Sequence, residues 1–168
     1  VFMLKALFFI QGFAYPLTAQ PQRSGIAAKP GQPPVVLAGP NVAPAPVIVR
    51  ADAPKQEKDA ASQLAKYLSQ ISGASFRVLS PPNPLPERAI LVGEVDFQKP
   101  KDLSVEGFIV RTDGQRLRIS GGTPHATLTG VFAFLEDQLG CRWWSWNEED
   151  VPRRAKIEVL AQDTHIEP

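Results

Sequence analysis

Short runs of apolar, mostly β-branched residues recur along the chain from residue 46 onward. The runs at residues 47–49, 76–79 and 89–93 are bounded by prolines, glycines or polar residues, and such runs predict β-strands. Residues 156–160 alternate between polar and apolar side chains, which predicts a last strand with one buried face. The run at 89–93 is apolar throughout, so we expect it in the middle of a sheet.

Two stretches between these runs have the apolar spacing of amphipathic helices. In the first, the residues that share a face are Ala61, Leu64, Leu68 and Ile71. In the second they are Leu128, Val131, Phe132, Leu135 and Leu139. Asp52 and Gly73 have the residue types favoured at the two ends of the first helix. Thr123 followed by Pro124 predicts the start of the second helix, and Gly140 its end.

A β-hairpin is predicted around Asp113-Gly114, because both residue types tolerate the positive φ angles of a type I′ turn. The flanking strands are residues 108–112 and 115–120. A two-residue loop at this place pairs Thr112 with Gln115, Val110 with Leu117, and Phe108 with Ile119. The apolar side chains of both strands then lie on one face of the hairpin, which fixes the register.

The other face of the hairpin receives Arg111, Arg116 and Arg118. In this register Arg111 stands opposite Arg116, and like charges across a ladder repel. Either water screens these arginines, or they face an acidic surface of another domain.

Roughly six strands and two helices predict an α+β fold, a mixed β-sheet with both α-helices packed on one face. The folded domain is predicted to occupy residues 46–168. Residues 20–45 are rich in proline, alanine and glycine and are interpreted as a linker, with residues 35–37 as a short edge strand.

Residues 1–19 have the features of a secretory signal peptide. Lys5 precedes an apolar stretch, and residues 17–19 offer a small-residue cleavage site. The stretch is too short to span a bilayer, so no membrane span is expected in the mature chain. We therefore expect export to a periplasm or to the outside of the cell.

Charge and composition exclude several classes of function. The chain has 18 Lys and Arg against 17 Asp and Glu, which is not the strongly basic surface that a nucleic-acid partner requires. With two histidines and one cysteine, far apart in the sequence, no metal site is expected, and no cofactor. The loop at residues 120–123 lacks the lysine of a phosphate-binding loop and is interpreted as a turn and helix cap.

Candidate chemistry concentrates after the second helix. The tryptophans Trp143, Trp144 and Trp146 can stack on a sugar ring or pack against another domain, and Arg142 and Glu148 flank them. Adjacent acids such as Glu148 and its neighbour do not form the spaced pair that glycosidic cleavage needs, so no catalytic residue is assigned. A nucleophilic pair of Cys141 with His125 stays open as an alternative.

Four segments carry a family resemblance: residues 107–110, 117–121, 130–136 and 139–143. They resemble the N-terminal domain of family 67 α-glucuronidases and the domain that precedes the barrel in family 20 hexosaminidases. The resemblance covers about residues 46–168 and is closest to the related domain of large exported bacterial proteins of uncharacterised function.

This resemblance implies a sheet with two helices, set against a catalytic (β/α)₈ barrel that follows and carries the catalytic acids. The chain is accordingly expected to be a non-catalytic accessory domain of a carbohydrate-processing protein, with that barrel as its partner and polysaccharide as a further one. The alternative is a free-standing carbohydrate-binding module that uses the cluster at residues 143–146.

Overall fold

A computed structural model of the chain describes residues 29, 31–96, 101–145 and 147–167. The predicted signal peptide, residues 1–19, lies outside the described residues, as do positions 20–28 of the predicted linker.

Ten strands and two helices are assigned within these ranges. They are β1 (Val35–Ala38), β2 (Val47–Ile48), α1 (Lys55–Ser72), β3 (Val78–Leu79), β4 (Ala89–Val92), β5 (Phe108–Asp113), β6 (Arg116–Gly121), α2 (Pro124–Asp137), β7 (Arg142–Ser145), β8 (Glu148–Asp150), β9 (Ile157–Val159) and β10 (Asp163–Ile166). The main sheet has six strands in the order β10-β5-β6-β4-β2-β3. Strands β3, β2, β4 and β6 run parallel, whereas β5 is antiparallel to both of its neighbours.

Both helices cover the same face of this sheet, which confirms the predicted α+β class. Leu64 and Leu68 of α1 share one buried cluster with Phe134 of α2 and with the sheet residues Ile90 and Ile119. The opposite face carries a smaller buried cluster, formed by Ile48, Ala89, Leu91 and Val95 with Leu85 packed against it. The strand at β4 is fully buried and lies inside the sheet, as its apolar sequence predicts.

The helix ends follow the sequence signals at three places out of four. Gly73 adopts a left-handed conformation with φ 74° after α1, and the Thr123 hydroxyl accepts a hydrogen bond from the Ala126 N–H at 3.2 Å at the start of α2. Gly140, with φ 80°, turns the chain after α2. The prediction for Asp52 is wrong: α1 begins later, and the Asp52 carboxylate lies 3.1 Å from Arg50 Nε.

The β5–β6 hairpin forms, but its register is shifted by two residues from the predicted one. Asp113 pairs with Arg116, so the loop is Gly114-Gln115 rather than Asp113-Gly114. Gly114 takes φ 56°, whereas neither Asp113 nor Gln115 has a positive φ, which fits a type II′ turn with glycine first. A shift of two preserves the alternation, so the apolar side chains still share the face toward the helices.

The folded part begins earlier than predicted, and the linker assignment is wrong for residues 35–45. Val35 and Leu37 are fully buried, and β1 pairs antiparallel with β9 in a separate two-stranded ribbon. The prolines lie on either side of this strand and leave its backbone N–H groups free to pair. The prediction of a short edge strand at 35–37 is confirmed.

Candidate functional site

The predicted contact residues lie on an antiparallel hairpin of β7 and β8 that stands apart from the main sheet. Trp143 pairs with Glu149, and Ser145 pairs with Glu148. The register shifts between these two pairs, so Trp144 is the extra residue of a β-bulge. Trp146 lies outside the described residues.

Trp143 is half-buried and packs against the core. Its indole makes edge-on contacts with the Phe132 ring of α2, at a centroid distance of 5.1 Å, and with the Tyr67 ring of α1, at 5.4 Å. Tyr67 and Phe132 also meet edge to face, at 6.4 Å. These three rings, called the aromatic cluster below, fasten the hairpin to both helices.

A chain of two hydrogen bonds strengthens this attachment. The Trp143 Nε1–H donates to Tyr67 Oη at 3.0 Å, and the Tyr67 hydroxyl donates to Glu149 Oε2 at 2.7 Å. Burial raises the pKa of Tyr67; the donated Trp143 N–H acts in the opposite direction, and the Glu149 carboxylate raises the pKa further. The phenol is therefore held in its protonated form, in which it can donate to Glu149.

Replacing Tyr67 with phenylalanine is expected to lower the free energy of unfolding by about 1–2 kcal/mol. The ring stays in place, but the indole N–H and the Glu149 carboxylate both lose their partner. Urea denaturation measures the difference. Ser145→Ala is the matched control, because it removes an exposed hydroxyl of the same hairpin, which donates only to Asn147; a change equal to that of the control would contradict this role of Tyr67.

The stability difference between the parent chain and Tyr67→Phe has a predictable pH dependence. Because folding raises the Tyr67 pKa above its unfolded value, the stabilisation by this group is complete below that value, near pH 10, and is lost as the pH rises through the folded pKa. The difference in stability between the parent chain and Tyr67→Phe should therefore shrink at strongly alkaline pH. A constant difference from pH 8 upward would exclude the titration of Tyr67 as its source.

Trp144 points away from the aromatic cluster and is the most exposed large apolar side chain that the structure describes, at 69%. Glu148 is exposed on the adjacent strand. Arg142 instead folds back, and its Nη1 donates at 2.7 Å to the carbonyls of Glu136 and Cys141 at the end of α2. The predicted contact set thus divides into a half-buried anchor, Trp143, a structural cation, Arg142, and an exposed pair, Trp144 and Glu148.

The three arginines of the β5–β6 hairpin all find partners within the chain. Arg111 Nε donates to Asp163 at 2.6 Å and so ties β5 to β10. Arg116 donates to the carbonyls of Pro86 and Leu85, at 2.8 and 3.2 Å. Arg118, only 7% exposed, donates to the Val95 carbonyl at 3.0 Å and lies 3.6 Å from the Asp113 carboxylate. In the observed register Arg111 faces Arg118, not Arg116.

The alternative of a Cys141–His125 nucleophilic pair is wrong. His125 is exposed in the first turn of α2, whereas Cys141 is buried beyond its other end. A helix of 14 residues is about 20 Å long, which is far beyond hydrogen-bond reach. Burial also raises the pKa of the Cys141 thiol to about 11, so it is a thiol and not a thiolate at neutral pH.

Alkylation of Cys141 tests this burial directly. At pH 8 we expect iodoacetamide to modify the folded protein at least about a hundredfold more slowly than the urea-unfolded protein, because a thiol with a raised pKa contributes little thiolate. Mass spectrometry follows the single cysteine of the chain. Equal rates in the two states would show that the thiol is accessible.

Neither a metal centre nor a membrane helix is found in the part of the chain that the structure describes. No group of three or more His, Cys, Asp or Glu side chains within 29, 31–96, 101–145 and 147–167 could hold a metal ion. Neither helix of these ranges is long and apolar enough to cross a bilayer.

Tyr67 is the site residue that the sequence patterns did not single out. Tyr67 follows Leu64 by three positions on the buried side of α1, which is the only signal in the sequence that would have placed it next to the second helix.

The chain is thus a two-layer α+β domain, and proteins of known structure contain the same fold. Neither a protein-family model nor a curated protein sequence matches it. A family 115 4-O-methyl-α-glucuronidase with specificity for decorated arabinogalactans matches over 80% of this chain, with a TM-score of 0.60 and 15% identity. Streptomyces plicatus N-acetyl-β-hexosaminidase matches over 84% (TM-score 0.56, 13% identity), and so does the family 20 β-N-acetylhexosaminidase of Streptomyces coelicolor (0.54, 12%).

This chain spans only 18%, 24% and 25% of those three proteins, respectively. At such low identity the likeness shows a shared fold. The family 20 part of the predicted resemblance is therefore matched by structures, whereas the family 67 part stays a prediction.

Proposed function

We propose that this chain is a non-catalytic accessory domain of an exported, glycoside-hydrolase-like protein, and that it packs against a (β/α)₈ barrel of the same polypeptide. The observation that carries the proposal is the fold, which covers most of this chain and recurs as about a fifth to a quarter of a family 115 glucuronidase and of family 20 hexosaminidases. The sequence resemblance to the domain preceding the barrel in family 67 and family 20 enzymes points the same way.

The acidic residues of the hairpin support a non-catalytic role. Glycosidic cleavage uses two carboxyl groups that face each other about 5–9.5 Å apart. Glu148 and Glu149 are successive residues of β8, so their side chains point to opposite faces. Glu149 is moreover held by the Tyr67 hydroxyl. The chemistry of the proposed parent protein would then belong to its barrel.

Reading the gene beyond the codon for Pro168 in the source DNA is the first test. We expect an open frame of several hundred codons with alternating strand and helix patterns, and glycosidase activity in the longer polypeptide but not in this chain alone. A stop codon directly after Pro168, or a continuation without such a pattern, would overturn the accessory-domain proposal.

A free-standing carbohydrate-binding module is the second candidate, and the exposure of Trp144 is the observation that favours it. Trp143 is committed to the aromatic cluster, so among the described tryptophans Trp144 alone could stack on a sugar. Binding of the purified chain to a glycan array, abolished in Trp144→Ala, would support this candidate. Identical array profiles for the two proteins would exclude Trp144 as a sugar platform.

A further inference from the structure

A cleft of about 560 Å³ lies beside the main sheet, at the carboxyl ends of three parallel strands. Arg50 follows β2, residues 81–85 follow β3, and Val95 and Asp96 follow β4. The remaining lining residue is Arg116, at the start of β6. The volume lies within the range of about 300–1,000 Å³ that is typical of small-molecule sites. The cleft is called the proline cleft below.

The position of the proline cleft is one at which parallel sheets commonly bind ligands. β2 lies between β3 and β4, which are the next two strands along the chain, so the strand order reverses at β2. In open α/β sheets, the crevice outside the carboxyl ends of the strands at such a reversal is the general ligand site. Arg50, two residues after β2, lines the cleft at this point.

One wall of the cleft is a rigid loop, residues 80–88, which connects β3 to β4. Leu85 of this loop packs against the buried cluster on the face opposite the helices. The Arg116 side chain donates hydrogen bonds to the carbonyls of Leu85 and Pro86, at 3.2 and 2.8 Å. A preorganised wall loses little conformational entropy when a ligand binds. Three prolines with fixed φ angles face the cleft: Pro81, Pro82 and Pro84.

Two arginines line the cleft, and their charges are compensated differently. Arg50 Nε lies 3.1 Å from the Asp52 carboxylate, and its Nη1 lies 3.9 Å from Glu94. Arg116 is held by the two backbone carbonyls and forms no ion pair with any described residue. Asp113, its partner in the β5–β6 ladder, is ion-paired with another arginine of β6. The cleft therefore contains one oriented guanidinium group that is not paired with a carboxylate.

Asp96 supplies an acid of matching charge. It is exposed, lines the cleft, and has neither a hydrogen bond nor an ion pair to any described residue. Together with the amide of Asn83, the cleft offers donors and acceptors beside the CH surfaces of its prolines. A simple anion would leave Asp96 unmatched, and a simple cation would leave Arg116 unmatched. The complementary ligand has no net charge, CH faces, and hydroxyl groups that both donate and accept.

We propose that the proline cleft binds a small neutral saccharide, whose hydroxyl groups contact Arg116, Asp96 and Asn83 and whose CH faces lie on the prolines. The choice of a sugar rests on the proposed function and deepens it, because it adds a ligand site to the accessory domain. This site is separate from Trp144, which lies on the β7–β8 hairpin outside the main sheet.

The test is a titration of this chain, labelled with ¹⁵N, with D-glucose and with D-xylose, followed by NMR. The backbone amide signals of Arg50, Val95 and Arg116 should shift, with a Kd of about 1 mM. Asp96→Asn should weaken binding about fivefold or more, because it replaces a charge-assisted hydrogen bond with a neutral one. The fold should persist in this variant, since asparagine tolerates the positive φ of 45° at this position.

Glu87→Gln is the matched control, because it neutralises an exposed carboxylate of the same loop that does not line the cleft. It should leave the Kd within about twofold of the parent value. Binding that tolerates Asp96→Asn equally well would overturn the assignment of Asp96. Shifts confined to residues 142–150 would overturn the cleft in favour of Trp144.

Two further outcomes would overturn the proposal as a whole. Shifts of the cleft signals with L-leucine but with neither sugar would identify the ligand as a zwitterion instead of a saccharide. Absence of any shift with both sugars, at concentrations up to about ten times the expected Kd, would mean that the cleft is not a saccharide site. Neither result bears on the accessory-domain proposal, which depends on the continuation of the gene beyond Pro168.

Discussion

Gly121→Ala is expected to lower the free energy of unfolding by about 3 kcal/mol, at the upper end of the usual cost of overpacking a core. Gly121 ends β6, and the first turn of α2 lies directly on it. A Cβ at this position would run into the backbone of Ala126 and Thr127 and would lie 2.6 Å from the Ala126 Cβ. Backbone atoms cannot swing aside, so α2 would have to move away from the sheet.

Ser120, the residue before Gly121, supplies a control for this substitution. The Ser120 hydroxyl is buried and has no hydrogen-bond partner among the residues that the structure describes, so Ser120→Ala should leave stability unchanged or raise it by about 1 kcal/mol. Urea unfolding monitored by circular dichroism compares both variants with the parent chain. A Gly121→Ala protein as stable as the parent would mean that α2 is not seated against β6 as described.

Gln162→Leu is the second substitution with a large expected effect, also about 3 kcal/mol, because it leaves buried polar groups without partners. The Gln162 side chain is fully buried and forms two reciprocal amide hydrogen bonds with Gln138, at 2.7 and 2.9 Å. Its Oε1 also accepts from the Thr164 hydroxyl at 3.2 Å. Leucine fills a similar volume, so the expected loss reflects the lost hydrogen bonds and not a cavity.

A double-mutant cycle separates these contributions. Gln138→Leu combined with Gln162→Leu removes both amides together, so the double variant should be less destabilised than the sum of the two single variants by about 1 kcal/mol or more. Strict additivity of the three measured values would show that the two amides do not interact.

The sequence was sufficient for both helices and for strands β1 to β6 and β9, because each has a clear local signal, whereas β7, β8 and β10 were not predicted and the strand at residues 156–160 is not the last one. The turn of the β5–β6 hairpin is the instructive exception. Asp113-Gly114 and Gly114-Gln115 are both acceptable loops when judged locally. The contacts that accompany the second one are distant in sequence: Arg116 reaches the carbonyls of Leu85 and Pro86. A local pattern contains no information about such partners.

The different roles of Trp143 and Trp144 also could not be predicted from the sequence. Trp143 and Trp144 are identical and adjacent, and the sequence assigns them one common role. Their separation depends on a β-bulge and on Tyr67, which lies 76 positions away in the chain. Helical periodicity did not single out Tyr67, and it could not have indicated which part of the chain would meet its hydroxyl.

The ribbon of β1 and β9 has a consequence for biosynthesis. Val35 pairs with Val159, so the first described strand obtains its partner only after almost all of the domain has left the ribosome. Until then, an apolar strand is present in the nascent chain without its ladder, and unpaired strands of this kind promote association between chains. The prolines on both sides of β1 restrict such pairing. Folding of this domain is therefore completed late, and the first strand that the structure describes is among the last to find its partner.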